Sequence, residues 1–126
     1  MNRGRTGAVL AALAFASAGV LGHTYYVLQD EVLCDATGQL CLRGWIVHDP
    51  HDNRIQLSAR VQESSVPGKV TIRLVGETPG KHRVSTALVF DVRGNYSEIV
   101  EANIIPEWPF ETLWQVEGLY FEVAEE

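Results

Sequence analysis

From Tyr25 to Val123 the chain is divided into short runs of alternating apolar and polar side chains, separated by turn-forming residues, and this pattern leaves few folds open. Successive side chains of a strand point to opposite faces, so a period of two places one face in a core and the other in water. The pattern is clearest in Arg54–Glu63, where Ile55, Leu57, Ala59 and Val61 share a face, and in Lys69–Val75, where Val70, Ile72 and Leu74 do. Arg83–Val92 repeats it with Val84, Thr86, Leu88, Phe90 and Val92. Further runs are Tyr25–Cys34, Leu40–His48, Tyr96–Ile105 and Thr112–Val123. Between them lie Asp49-Pro50-His51-Asp52-Asn53, Ser64–Gly68, Gly76–Gly80, Arg93-Gly94-Asn95 and Pro106–Phe110, so Pro and Gly fall where they interrupt no ladder. Seven or eight strands at a spacing of 10–14 residues, with no amphipathic helix among them, predict an all-β domain. The expected form is an antiparallel β-sandwich of immunoglobulin-like or jelly-roll type, with a small barrel as the alternative. The Cys…Trp…Cys spacing of true immunoglobulin domains is missing, because both cysteines sit on one hairpin.

Those cysteines are Cys34 and Cys41. Reflection of the chain about Thr37-Gly38 sets them opposite one another, so a cross-strand disulfide is expected in an oxidising compartment. Closing so short a loop contributes about 2–3 kcal/mol on chain-entropy grounds. A redox pair would call for C-x-x-C at a helix N-terminus, which this C-x6-C hairpin is not.

Ahead of the alternating runs stands Gly7–Leu28, GAVLAALAFASAGVLGHTYYVL, preceded by Arg3 and Arg5. As a helix it would extend roughly 33 Å, against roughly 30 Å for a hydrocarbon core. The two small-x-small sites, Ala14-Phe15-Ala16 and Ala16-Ser17-Ala18, lie inside the apolar run and not after it, and Tyr25 and Tyr26 fall where an aromatic belt would. Residues 1–28 are therefore expected to be one N-terminal transmembrane helix, an uncleaved signal-anchor, with a cleaved signal peptide as the rival. Residues 29–126 are expected to form the extracytoplasmic domain, since Arg3 and Arg5 stay cytoplasmic under the positive-inside rule. The small residues Gly7, Ala11, Ala14, Ala18 and Gly22 recur at small-xxx-small spacing and could pack on a second transmembrane helix.

Charge narrows the partners. The chain has 16 acidic and 10 basic side chains, and from Glu98 to its end it holds no Lys or Arg. Nucleic acid and anionic headgroups need clustered positive charge, so neither is expected as a partner. A basic protein surface or a cation suits the balance better.

Two features could carry recognition chemistry. His48 and His51, with Asp49 and Asp52, place imidazoles and carboxylates on one turn and could ligate Zn²⁺ or Cu²⁺, with His82 or His23 completing the shell. A turn rich in Asp, Pro and Asn needs no metal, however. Trp108, bracketed by Pro106 and Pro109 and followed by Phe110, reads either as an aromatic docking knob for a protein or a glycan or as a plug at the open end of the sandwich. Trp45 and Trp114 read as core or core-edge residues. Asn95-Tyr96-Ser97 matches a glycosylation sequon. No G-x-S-x-G, C-x-x-C, H-E-x-x-H or phosphate-binding glycine loop is present, so no enzymatic activity and no cofactor are expected. The function expected is that of a membrane-anchored accessory or assembly subunit of a larger membrane or envelope complex, with other subunits as partners through Trp108, Phe110 and the small-residue face. A periplasmic binding module for a metal ion or a glycan is the alternative.

Overall fold

The alternating runs become strands because each buries one apolar row against the opposite sheet. The computed structural model describes residues 24–125, which form seven strands and no helix. They are β1 (Tyr25–Cys34), β2 (Cys41–Asp49), β3 (Arg54–Val61), β4 (Gly68–Glu77), β5 (Arg83–Val92), β6 (Ile99–Ile104) and β7 (Leu113–Val123). One antiparallel sheet has the order β1-β2-β3-β6, the other β5-β4-β7. The sheets face one another in a sandwich-like arrangement, with β1 beside β7 and β5 beside β6 at the two sides. Both contribute to a single core, in which Ile46, Ile55, Leu57 and Val61 of the first sheet meet Val70, Ile72, Leu74 and Leu88 of the second.

The strand order differs from the ABED/CFG arrangement of an immunoglobulin constant-type domain. Here β1, β2 and β3 form a meander within one sheet, because two tight turns leave the chain no length to cross over. At the first turn the Asp35 carboxylate accepts hydrogen bonds from Leu40 N (2.8 Å) and Thr37 Oγ1 (2.6 Å), while Gly38 takes φ +76°. Cys34 pairs with Cys41 in the ladder, and the expected disulfide joins them. Burial would raise the pKa of Asp35, but its hydrogen bonds outweigh this and hold it below the usual carboxylate value.

Most boundaries shift by a residue or two, and two shift further. The run expected from Tyr96 begins at Ile99, because residues 93–98 form a longer turn. The Glu98 carboxylate accepts from the backbone N–H groups of Arg93, Gly94 and Asn95, and Ser97 takes φ +66°, which holds the sequon residues out of the ladder. At the other end Tyr25–Leu28, assigned above to the N-terminal stretch, open β1, and Leu28 is buried in the core. Residues 7–23 of that stretch, including Gly7, Ala11, Ala14 and Ala18, lie outside the described residues. Among the described residues no helix is long and apolar enough to cross a membrane.

Candidate functional site

Two places gather the side chains of interest: one end of the sandwich and the outer face of the four-stranded sheet.

At the end, Asn53 closes the β2–β3 turn in the left-handed region, with φ +54°. Its amide nitrogen donates to the carbonyl of Trp108 (2.8 Å) and weakly to that of Pro106 (3.5 Å). This leaves Oδ1 as acceptor, 2.6 Å from His48 Nε2, so the imidazole must carry its proton on Nε2. The Phe110 ring packs against both His48 and Tyr25, with centroids 5.4 Å apart in each case. Asn53 thus ties the β2–β3 turn to the 106–110 loop, and Phe110 closes that end of the core. Of the two Trp108 readings, this geometry gives the backbone the role of a plug, while the indole itself remains exposed.

The metal-ligand candidates separate here. His48 is buried and bonded to Asn53, whereas His51 is exposed and its backbone N–H donates to Asp49 Oδ1. Among the described residues no group of three or more His, Cys, Asp or Glu side chains is placed to hold an ion. Burial lowers the pKa of His48 below its ordinary 6.5, against the smaller upward pulls of the Asn53 bond and the Asp49 charge. The unfolded chain therefore binds a proton more readily than the native one just below pH 6.5. Stability from this group is complete above that value and is lost as pH falls through the lowered native pKa. The thermal midpoint is expected to drop between pH 7 and 5 in the wild type and to drop less in His48→Gln.

Asn53→Ala should also weaken this end. It removes the acceptor of a buried N–H and puts a less tolerant residue at positive φ, together costing about 2–3 kcal/mol in denaturant unfolding. Asn53→Asp should recover part of this, since Asp keeps the acceptor.

The second place was missed in the sequence. Trp45, expected at the core or its edge, is 40% exposed and stands on the outer face of β2. The signal was available: Leu42, Gly44, Ile46 and His48 alternate inward, which gives Trp45 the same outward parity as Arg43 and Asp49. Its apolar neighbours in sequence obscured this.

Cross-strand registers define the surroundings of the indole. Trp45 pairs with Ser58, and Ser58 with Glu101. On one side of this row lie Tyr26, Val47, Gln56 and Asn103, and on the other Val32, Arg43, Arg60 and Ile99. The Tyr26 and Trp45 rings lie 5.6 Å apart at 56°. A depression of about 300 Å³ opens between Trp45, Gln56, Ser58 and Asn103. A second, of about 420 Å³, opens on the far side of the Trp45–Ser58–Glu101 row, between Trp45, Arg60 and Gln62.

Opposite Trp45 the β1 ladder is irregular. Leu28 pairs with Ile46 and Glu31 with Gly44, so Gln29 and Asp30 bulge out beside the indole. Asp30 takes φ +52°, and its carboxylate binds the Arg43 guanidinium (Nε–Oδ1 3.1 Å), which holds the Asp30 pKa below its usual value. Bulges re-aim side chains, and a non-glycine residue at positive φ marks a backbone held by its surroundings. Among the described residues, Gln56, Ser58, Arg60 and Glu101 make no side-chain hydrogen bond to protein, and Asn103 Oδ1 is engaged by Arg54 (2.9 Å). The face therefore presents an indole, a phenol and a set of uncommitted donors and acceptors.

No protein-family model matches the chain, and no curated protein or solved structure matches it.

Proposed function

We propose that the chain is a non-catalytic recognition module that serves as an accessory subunit on the outer side of a membrane. The N-terminal stretch holds it there, and the outer face of the four-stranded sheet is its binding surface. The observation that carries this reading is the exposed Tyr26–Trp45 pair, set between two depressions and opposite a bulge in β1. Aromatic side chains with exposed edges are costly to leave in water and are concentrated where proteins bind.

The attachment rests on sequence. With Thr24 outside any helix and Tyr25–Leu28 committed to β1, the span available to a helix is residues 7–23, roughly 26 Å long at the usual rise, close to the thickness of a bilayer core. Such a helix would join β1 without a linker and hold the domain against the membrane, and its Gly7, Ala11, Ala14 and Ala18 face would pack on another subunit.

Carbonate extraction of membranes, followed by intact-mass measurement, tests the attachment. A full-length mass in the washed membrane pellet is expected. A soluble domain with a new N-terminus near Ala16 or Ala18 would refute the anchor and leave the recognition face untouched. A photo-crosslinker at residue 45 of the full chain tests the face: crosslinks that survive washing are expected at this position and not at Lys69 on the opposite sheet. Equal labelling at both positions would refute it.

A further inference from the structure

We infer that the ligand of the Trp45 face is a neutral saccharide chain, an inference that rests on the recognition reading above. The face lies in the middle of a sheet, where the β2 and β3 backbones are already paired on both sides. A ligand there cannot add a strand and must be read by side chains. Those side chains are of two kinds. The Trp45 indole, with the Tyr26 ring tilted beside it, offers a flat apolar surface at the centre. Around it stand the Gln56 amide, the Ser58 hydroxyl and the Asn103 amide on one side, and Arg60 and Gln62 on the other.

A pyranose ring has matching chemistry. One face consists of C–H groups that can leave water against an indole, and the rim consists of hydroxyls that each need a donor and an acceptor. Amide and hydroxyl side chains supply both roles; among the described residues Gln56 and Ser58 are uncommitted, while the Asn103 Oδ1 accepts from Arg54.

Charge separates this ligand from others. Arg43 is neutralised by Asp30, and Arg60 and Glu101 leave the face with no net charge. A sulfated or phosphorylated chain would require surplus positive charge, and a polyamine surplus negative charge.

The shape adds length. The two depressions share Trp45, Ser58 and Glu101 and open on either side of that row, so successive units of one chain can lie in both with the indole under the middle unit. The bulge sets Gln29 and Asp30 beside the indole, and the Asp30 carboxylate is held by Arg43 at the edge of the second depression.

The test uses the full chain in a detergent without a sugar headgroup, applied to an array of neutral and of sulfated or sialylated oligosaccharides. The best neutral oligosaccharide then serves as the titrant for calorimetry. Binding to neutral oligosaccharides is expected, weakening by roughly tenfold or more in Trp45→Ala and by a few-fold in Gln56→Ala or Ser58→Ala. Trp108→Ala, at the end of the sandwich, is expected to bind as the wild type does. Trp45 is exposed, so an unchanged thermal midpoint in Trp45→Ala will show that the loss is local.

Absence of binding to every neutral oligosaccharide, a preference for the anionic ones, or undiminished binding by Trp45→Ala overturns the inference. If glycan binding is absent while the crosslinker at residue 45 still captures an envelope protein, the saccharide falls and the recognition face stands. If both are absent, both fall.

Discussion

A chain that begins at Thr24 is expected to fold, and one that begins at Gln29 is not. The five residues between these start points carry the first part of β1. Tyr25, Tyr26 and Leu28 pair with His48, Val47 and Ile46, Leu28 is buried in the core, and the Tyr25 ring packs on Phe110. Loss of a buried leucine costs about 2–5 kcal/mol, and the aromatic contact contributes about 1 kcal/mol more. The ladder bonds come in addition. The total approaches the whole stability of an ordinary domain, about 5–15 kcal/mol. The shorter chain also bares the edge of β2 at Ile46–His48, which invites pairing between molecules. Circular dichroism, thermal melting and size-exclusion chromatography of residues 24–126 and 29–126 provide the check. A cooperative transition in the shorter chain within a few degrees of the longer one would show that β1 starts later than described. Any truncation meant to separate attachment from recognition must therefore cut before Thr24.

Gly44→Ala is expected to be the most damaging single methyl group that can be added to the four-stranded sheet. A Cβ at this position would meet the Ser58 carbonyl oxygen and lie 2.6 Å from Ala59 Cα. Both belong to the backbone of β3, so relief requires β2 and β3 to separate, not a side chain to rotate. Overpacking of this kind costs about 3 kcal/mol. The variant is informative about function as well, because Gly44 precedes Trp45 and pairs with Ala59, next to the partner of Trp45. A shift of β2 here would move the indole relative to Ser58 and Glu101. A fall in the denaturant midpoint, with a change in the near-ultraviolet circular dichroism of Trp45, is the expected result. An unchanged midpoint would mean that the two strands are less closely apposed than described.

The strands themselves were legible because a period of two is a local property. Ile55, Leu57, Ala59 and Val61 must share a face whatever they pack against, and so must Val70, Ile72 and Leu74. The disulfide was legible for the same reason, since a short turn fixes which residues of a hairpin face each other.

What escaped the sequence depends on contacts between distant segments. The start of β6 was misplaced because the Glu98 carboxylate, and not a Gly-Asn turn alone, organises residues 93–98. The partners of His48 could not be read from its neighbours Asp49, His51 and Asp52, which suit a metal site and an ordinary turn alike. Its actual partners are Asn53, turned by a positive φ, and Phe110 from 62 residues further along the chain. Trp45 looked like core or core-edge because Ile46 and Val47 follow it, although strand parity alone points it outward. That it stands beside Tyr26, Ser58 and Glu101 required the alignment of four strands. The sequence by itself determined the all-β class, the hairpin disulfide and the acidic balance of this protein. Tertiary structure decided that Trp45 stands exposed beside Tyr26 and that His48 is buried against Phe110, because register and sheet order are properties of pairing between strands and are written in no single run.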